Sequence, residues 1–152
     1  MDTADSFRPD ITVAALVLDQ GRFLMVEEQV RGVSVLNQPA GHVEPGETLL
    51  QALVRETLEE TGWSVRPTGF VGMYQWADPA DGDRTYLRFV IIAEALEHHA
   101  DRTLDAGILR ALWLAPGELR DPPSPLRSPL VLAAVTDFLS GQRLPLSALR
   151  VP

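Results

Sequence analysis

The chain has 152 residues and a hydrophobic content of 45%, which predicts one domain over residues 1–152 with a core that needs no disulfide support. It contains no cysteine, which excludes disulfides, thiolate metal sites and cysteine nucleophiles, and no lysine, which excludes a Schiff-base or P-loop lysine. The thirteen basic residues, all arginine, face twenty-one acidic ones, and the net charge of -8 argues against nucleic acid as a partner.

The chain also carries no sign of membrane insertion or export. It lacks an apolar run of about 18 residues, the length that a membrane-spanning helix needs. Residues 1–10 are polar and acidic, unlike the apolar centre of a secretory signal. We therefore expect a cytoplasmic protein without a membrane partner, either a monomer or a homodimer.

The first third of the chain is predicted to form strands followed by a loop. A β-branched run, Ile11–Leu18, and a second apolar run, Arg22–Glu28, flank the turn residues Asp19–Gly21, which predicts a β-hairpin. A short segment, Val33–Gln38, comes next. The stretch Pro39–Glu47 contains glycine and proline breakers and is predicted to be a loop.

The segment Leu49–Thr61 has the apolar periodicity of an amphipathic helix. Thr48 with Gln51 three residues later forms a capping-box pattern, and Gly62 stands where a glycine ends a helix. These signals predict a helix over Leu49–Thr61 whose apolar face packs on a sheet.

The next elements are two longer strands and a shorter segment. Ser64–Trp76 and Arg84–Leu96 flank the turn-forming stretch Asp78–Asp83 and are predicted to pair as antiparallel neighbours. A shorter apolar segment, Ile108–Leu114, precedes Pro116 and a short predicted helix.

The last periodic segment predicts a helix over Leu130–Leu139, ended by Ser140 and Gly141. Strands and helices interleave along the chain, while much of the predicted pairing is antiparallel. The predicted fold class is therefore mixed, α/β or α+β, with a sheet covered by helices.

Three carboxylates of the Leu49–Thr61 helix form one patch. Glu56, Glu59 and Glu60 are related by i,i+3 and i,i+4 spacing at the edge of the apolar face. Like charges at this spacing repel, and a divalent cation such as Mg²⁺, which takes oxygen ligands, would offset the repulsion. The alternative is a solvated acidic face in which Arg55 and Glu59 form an ordinary ion pair.

The spacing of these residues resembles the Nudix box, G-x5-E-x7-R-E-U-x-E-E-x-G-U, where U is a bulky apolar residue. The matching positions are Gly41, Glu47, Arg55, Glu56, Glu59, Glu60, Gly62 and Trp63. The departure is Thr57 at the first U, where a methyl group can pack while the hydroxyl bonds to a carbonyl one turn earlier. The resemblance implies the Nudix fold, an α/β/α sandwich with a mixed sheet.

Segments outside the box resemble a branch of phosphatases within the Nudix family. They are NQPAGH (Asn37–His42), YQW (Tyr74–Trp76), LRF (Leu87–Phe89), LRSPLV (Leu126–Val131) and SGQRLPL (Ser140–Leu146). One departure is Leu36, where a tryptophan is expected. The resemblance extends over nearly the whole chain.

The resemblance implies a metal centre for Mg²⁺, with Mn²⁺ as the alternative ion. By their positions in the box, Glu59 and Glu60 are the implied principal ligands, joined by a backbone carbonyl near Ala40 or Gly41. Glu56 is implied as a further ligand or as the base that acts on the attacking water.

Arg55 and Glu47 resemble the structural pair of the box, in which the arginine orients the carboxylates and the glutamate holds the arginine. For Arg55 alone, a surface salt bridge is the alternative. Many Nudix proteins use another carboxylate outside the box. Asp105 is the first candidate, followed by Glu94 and Asp101, and an ordinary loop or capping aspartate is the alternative.

Candidate substrate contacts follow from residue type. Trp76 offers a ring for stacking on a heterocycle, although strand periodicity also favours a core position. Asn37 offers amide hydrogen bonds at a strand end. Arg88 and Arg127 are candidate phosphate-binding side chains, with an ordinary surface arginine as the alternative.

The implied activity is Mg²⁺-dependent hydrolysis of a phosphoric anhydride in a small diphosphate or triphosphate. The phosphatase branch releases phosphate from nucleoside tri- and diphosphates and from hydroxymethylpyrimidine diphosphate. Other Nudix enzymes cleave nucleotide sugars or dinucleoside polyphosphates, and the box does not discriminate among these substrates. A non-catalytic metabolite-sensing domain is a further alternative, against which the intact carboxylates argue.

Overall fold

The computed structural model describes residues 6–82 and 84–152. Its elements are β1 (Asp10–Asp19), β2 (Arg22–Val30), β3 (Val33–Asn37), β4 (Ala40–His42), α1 (Leu49–Thr61), β5 (Trp63–Asp78), β6 (Arg84–His98), β7 (Ile108–Leu114), α2 (Pro116–Arg120) and α3 (Pro129–Leu139), with short 3-10 helices at Pro79–Asp81 and Leu146–Ala148. The start of the polar N-terminal stretch, residues 1–5, and the last residue of the predicted turn, Asp83, lie outside the described residues. Within the described ranges, no helix is long and apolar enough to cross a membrane.

β1 is the central strand of a mixed sheet. It pairs in parallel with β6 over residues 10–17 and antiparallel with β4 over residues 12–14. β5 is the antiparallel neighbour of β6 along most of its length, which confirms the predicted pairing of the two longer strands. β2 lies between β3 and β7 and is antiparallel to both.

The predicted hairpin between the first two strands is present, but its pairing is confined to the residues next to the turn. Among the described pairs, β1 and β2 share only those that join residues 18–19 to residues 22–23. The turn itself has the left-handed conformation typical of a tight hairpin, with φ of 48° at Gln20 and 75° at Gly21. Away from the turn, β1 pairs with β4 and β6, while β2 pairs with β3 and β7. Nonlocal pairing therefore limits the length of the hairpin, while the turn itself forms where the sequence predicts it.

Side chains of the central strand alternate between two cores, one on each face of the sheet. Leu16 joins one cluster together with Leu119 of α2 and Phe138 of α3. Val17 joins the other cluster with Leu53 of α1. Helices thus cover both faces of one mixed sheet, which confirms the predicted α/β/α sandwich.

The signals that predict α1 are present in the structure. Thr48 Oγ1 accepts a hydrogen bond from the Gln51 backbone at 3.1 Å, and Gln51 Oε1 accepts one from the Thr48 backbone at 3.0 Å. Gly62 ends the helix with a φ of 76°. Thr57 is buried, and its hydroxyl donates to the Leu53 carbonyl at 2.7 Å. The helix therefore begins and ends at the residues that the capping signals indicate.

A carboxylate of β2 ties three parts of the chain together. Glu27 accepts hydrogen bonds from Arg110 Nε of β7 at 2.6 Å, from Ser34 Oγ of β3 at 2.8 Å and from Ser124 Oγ at 2.8 Å. These bonds, with that from Arg110 the strongest cause, lower the pKa of Glu27 to about 2. Because Ser124 lies in the loop before α3, Glu27 holds that loop to the sheet.

We expect Glu27→Gln to lower the free energy of unfolding by about 1.5–3 kcal/mol at pH 7, the range for hydrogen bonds to a charged group. Folding lowers the pKa of Glu27 below its ordinary value of 4.5. The stabilisation by Glu27 is therefore complete above about pH 4.5 and is lost as the pH falls towards 2. Urea unfolding of both proteins at pH 7 and pH 3 measures the difference. A difference that does not narrow at pH 3 would contradict the assignment.

Candidate functional site

The loop before α1 and the helix itself approach each other closely at one glycine. Gly41 lies in β4, and a Cβ atom built there would stand 2.1 Å from the Glu56 carboxyl carbon. A side chain at this position would displace that carboxylate. Pairing of β4 with β1 therefore places the Ala40–His42 backbone directly against the acidic patch of α1.

Arg55 links the acidic residues of this region. Its Nε and Nη2 atoms donate to the two Glu47 carboxylate oxygens at 2.5 and 2.9 Å. Its Nη1 atom donates to Glu56 at 2.8 Å and to Glu59 at 3.2 Å. A further bond from Nη2 to the His42 carbonyl, at 3.0 Å, fixes the guanidinium to β4. Arg55 thus has the contacts expected of an arginine that orients the carboxylates. A simple surface ion pair between Arg55 and Glu59 does not account for its bonds to Glu47, Glu56 and His42.

These contacts keep both partners charged. The Arg55 hydrogen bonds, followed by a backbone hydrogen bond from Glu44, lower the pKa of Glu47 to about 2. The hydrogen bond to Glu47 in turn raises the pKa of Arg55. Arg55 therefore supplies a permanent positive charge beside the carboxylates of α1.

The candidate carboxylate outside the box joins the cluster. One carboxylate oxygen from each of Glu56, Glu59 and Asp105 lies within 4.8 Å of the others. The Asp105 backbone donates to the Glu59 carbonyl at 3.0 Å, which fixes the loop to the end of α1. Glu94, by contrast, pairs with Arg66 at 2.6 Å on an exposed part of β6. The structure therefore places Asp105, the first candidate for this carboxylate, beside Glu56 and Glu59.

Glu60 lies on the inner side of the same patch. Only 8% of it is exposed, and its Oε2 atom accepts a hydrogen bond from the Ala40 backbone at 3.3 Å. Burial, together with the negative charges of Glu28, Glu56 and Asp105, raises the pKa of Glu60 to about 9. Burial is also the main reason that the pKa of Glu56 is raised. Burial therefore disfavours the charged form of both side chains.

The donor set fits a hard divalent cation. Glu56, Glu59 and Asp105 offer only carboxylate oxygens, the ligands that Mg²⁺ and Mn²⁺ take. Glu60, a predicted principal ligand, is not part of this group, and its Oε2 atom is bonded to the Ala40 backbone instead. A cation would relieve the repulsion within the patch and the cost of burying the Glu60 carboxylate.

A cavity of about 250 Å³ lies beside β4. Ala40, Gly41 and His42 line it, so this short strand contacts both the cavity and the Glu56 carboxylate. All four predicted substrate-binding residues also line it: Asn37, Trp76, Arg88 and Arg127. Trp76 stacks on Tyr86 across β5 and β6, with ring centroids 6.2 Å apart and planes at 24°. The sequence therefore identified residues that meet in one place, although their roles remain predictions.

Arg88 is not the surface arginine that the alternative interpretation described. It is 5% exposed, and its Nη2 atom donates to Asn37 Oδ1 and Gln38 Oε1, both at 2.9 Å. Among the described residues, its buried Nε has no hydrogen-bond partner. Burial lowers the pKa of Arg88 to about 10, while the charges of Glu60 and Glu28 act in the opposite direction.

Glu28 is the residue of this region that the sequence analysis did not single out. It lines the cavity, accepts from Asn37 Nδ2 at 3.4 Å and lies 3.6 Å from Arg127 Nε. In the sequence, Glu27 and Glu28 form a polar end to a strand, which is typical of a solvated position. The pairing between β2 and β7 shifts register between these two residues, and no local signal predicts that shift.

Known proteins are similar to this chain over most of its length. The NUDIX domain family matches residues 8–134. Phosphatase NudJ of Escherichia coli strain K12 is 43% identical over 141 residues, which is 92% of this chain and 90% of that protein. The solved structure of a NUDIX hydrolase from Nitrosomonas europaea has a TM-score of 0.91 and 43% identity, and covers 95% of this chain and 98% of its own.

A MutT NUDIX hydrolase from Burkholderia pseudomallei shares the fold alone, with a TM-score of 0.72 at 20% identity over 86% of this chain and 98% of that one. The family match covers α1, the loop before it and the strands that line the cavity. The predicted enzyme class, a hydrolase of phosphoric anhydrides, is confirmed at this level. We conclude that this chain belongs to the Nudix hydrolase family.

Proposed function

We propose that this protein is a single-domain, Mg²⁺-dependent phosphohydrolase that releases phosphate from nucleoside tri- or diphosphates, or from hydroxymethylpyrimidine diphosphate. The observation that carries the proposal is that β4 contacts the Glu56 carboxylate and also lines the cavity. A substrate with a ring in the cavity would have its phosphates within reach of Glu56 and Glu59. The 43% identity to phosphatase NudJ supports this branch of the family.

Four carboxylates would hold the metal: Glu56, Glu59, Glu60 and Asp105, with a backbone carbonyl at Ala40 or Gly41 as a further ligand. When bound, Mg²⁺ neutralises charge on the phosphate oxygens and lowers the pKa of a coordinated water. Mn²⁺ takes the same oxygen ligands and is the alternative ion.

The protein groups have distinct proposed roles. Glu56 is proposed as a further metal ligand or as the base for the attacking water, because its carboxylate lies in one cluster with those of Glu59 and Asp105. Arg55 and Glu47 are positioning residues, since Arg55 bonds to both Glu56 and Glu59 while Glu47 holds its other edge. Of the two cavity arginines, the more exposed Arg127 is the proposed phosphate contact, because Arg88 is committed to neighbouring amides.

A pyrophosphohydrolase that cleaves nucleotide sugars or dinucleoside polyphosphates is the second candidate. A larger groove, of about 820 Å³, shares Trp76, Asp78, Arg127 and Ser128 with the cavity. It offers room for a second organic group beyond the phosphates. A metabolite-sensing role is disfavoured, because such a role would not require the assembled carboxylates.

The reaction products distinguish the candidates. We expect the protein with Mg²⁺ to release orthophosphate from GDP, GTP or hydroxymethylpyrimidine diphosphate and to leave ADP-ribose intact. Phosphorus NMR identifies the products. Pyrophosphate from GTP, or two monophosphates from ADP-ribose, would support the second candidate. Ligand binding without turnover would support the sensing role.

Removal of the buried carboxylate tests the metal centre. We expect Glu60→Gln to lower kcat/KM by more than about 100-fold and to weaken Mn²⁺ binding, because metal ligands contribute at least as much as their supporting residues. Glu97→Gln, at a mostly exposed position of β6, is the matched control. Retention of both metal binding and turnover by Glu60→Gln would contradict the assigned ligand set.

A second matched pair tests the carboxylate outside the box. We expect Asp105→Asn to weaken Mn²⁺ binding by about 10- to 100-fold, measured by titration with electron paramagnetic resonance. Asp101→Asn, an exposed change in the preceding turn, should leave the affinity unaltered. Equal affinities for the two variants would mean that Asp105 is an ordinary loop residue.

A further inference from the structure

The wall of the cavity presents an acceptor and a donor side by side. Glu28 Oε1 lies 3.4 Å from Asn37 Nδ2 and 3.6 Å from Arg127 Nε. Both distances exceed the 2.7–3.2 Å typical of a good N–H···O hydrogen bond. The Glu28 carboxylate, 19% exposed, therefore retains most of its capacity to accept hydrogen bonds from a ligand.

The neighbouring amide has a fixed orientation. Arg88 Nη2 donates to Asn37 Oδ1 and to Gln38 Oε1 at 2.9 Å, and Gln38 Nε2 donates to the Val131 carbonyl at 2.9 Å. Because a guanidinium only donates, the Asn37 oxygen must face Arg88 and the Asn37 nitrogen must face Glu28. The cavity wall therefore presents an oriented donor, Asn37 Nδ2, beside the Glu28 carboxylate, which can only accept.

Within the part of the chain that the structure describes, the unpaired Nε atom of Arg88 is a second observation that points to a ligand in the cavity. Arg88 is 95% buried and lines the cavity, yet its Nε has no hydrogen-bond partner among the described residues. A buried charged donor left in this state is costly. A polar group in the cavity would add an acceptor close to this guanidinium.

The shape of the cavity favours a flat ring. Trp76 and Tyr86, stacked at 6.2 Å, form an aromatic wall of the same cavity. The volume of about 250 Å³ is below the roughly 300–1,000 Å³ of pockets that hold drug-sized ligands. One heterocycle fits this space better than a larger group.

We propose that Glu28 is a specificity-determining residue: it accepts a hydrogen bond from an N–H group on the edge of the substrate's heteroaromatic ring, while Asn37 donates to the adjacent ring nitrogen or carbonyl oxygen. This inference rests on the proposed function, in which the ring occupies the cavity. The ligand class is a diphosphate whose ring edge carries an acceptor next to an N–H donor. Rings that lack the N–H group leave the carboxylate unpaired and are rejected, as is general for sites built around a buried hydrogen bond.

Equilibrium binding of one ligand pair tests this directly. The probes are the non-hydrolysable α,β-methylene analogue of UDP and its N3-methyl derivative, in which a methyl group replaces the hydrogen of the ring N–H. With Mg²⁺ present, we expect calorimetry to show binding of the methylated probe about 10- to 100-fold weaker to the unmodified protein, the worth of one hydrogen bond to a charged group. The discrimination should fall to less than about 3-fold in Glu28→Ala, since the truncated side chain has no acceptor.

Glu97→Gln is the control variant and should keep the discrimination of the unmodified protein. Equal affinities of the unmodified protein for both probes, or full discrimination by Glu28→Ala, would overturn the assignment. Absence of binding by either probe would also overturn it, because the ring edge required here is present in UDP.

Hydrolysis of UDP and of methyl diphosphate, which has no ring, is measured in parallel. Discrimination in binding without hydrolysis of either compound would refute the proposed function while the ring subsite stands. Hydrolysis of both compounds without discrimination in binding would refute the role of Glu28 alone.

Discussion

The close approach of β4 to α1 is the constraint on which the site depends. Gly41 has no side chain, so its backbone can lie against the Glu56 carboxylate. The same short strand donates a backbone hydrogen bond to Glu60 and lines the cavity. Any side chain at Gly41 would displace the Glu56 carboxylate from its present position. The cavity and the carboxylates are neighbours because of this contact.

The acidic patch of α1 carries more negative charge than its one arginine can balance. Glu47 and Arg55 satisfy each other through two hydrogen bonds, which leaves Arg55 Nη1 to hold Glu56 and Glu59. One guanidinium cannot neutralise the remaining carboxylates, and burial raises the pKa of Glu60. This excess of negative charge in a partly dry environment suits a divalent cation and, through it, a phosphate group that the acidic chain would otherwise repel.

The sheet explains why the polar residues of the cavity converge. β6 carries Tyr86 and Arg88 on residues two apart, and side chains at that spacing share one face of a strand. β3 ends at Asn37, and the loop after α2 brings Arg127 close to Glu28. Glu27 fixes that loop through Ser124, so a bond outside the cavity supports its wall.

The sequence by itself determined the helix that carries the carboxylates, its two caps and the class of chemistry. Capping, helical period and box spacing are local properties, and residues within one helix keep their relative positions in any fold. The left-handed turn between β1 and β2 is local in the same way, and it too was predicted correctly.

Only the tertiary structure decided which strands pair with β1, where Glu28 points and how deeply Arg88 is buried. Each of these depends on segments far apart in the chain. β1 pairs with β6, whose residues lie 76 positions further along the chain, and the register shift at Glu28 arises in the pairing of β2 with β7. A local pattern cannot choose among distant partners, because the free energy of pairing and burial is gained only after the whole sheet has assembled.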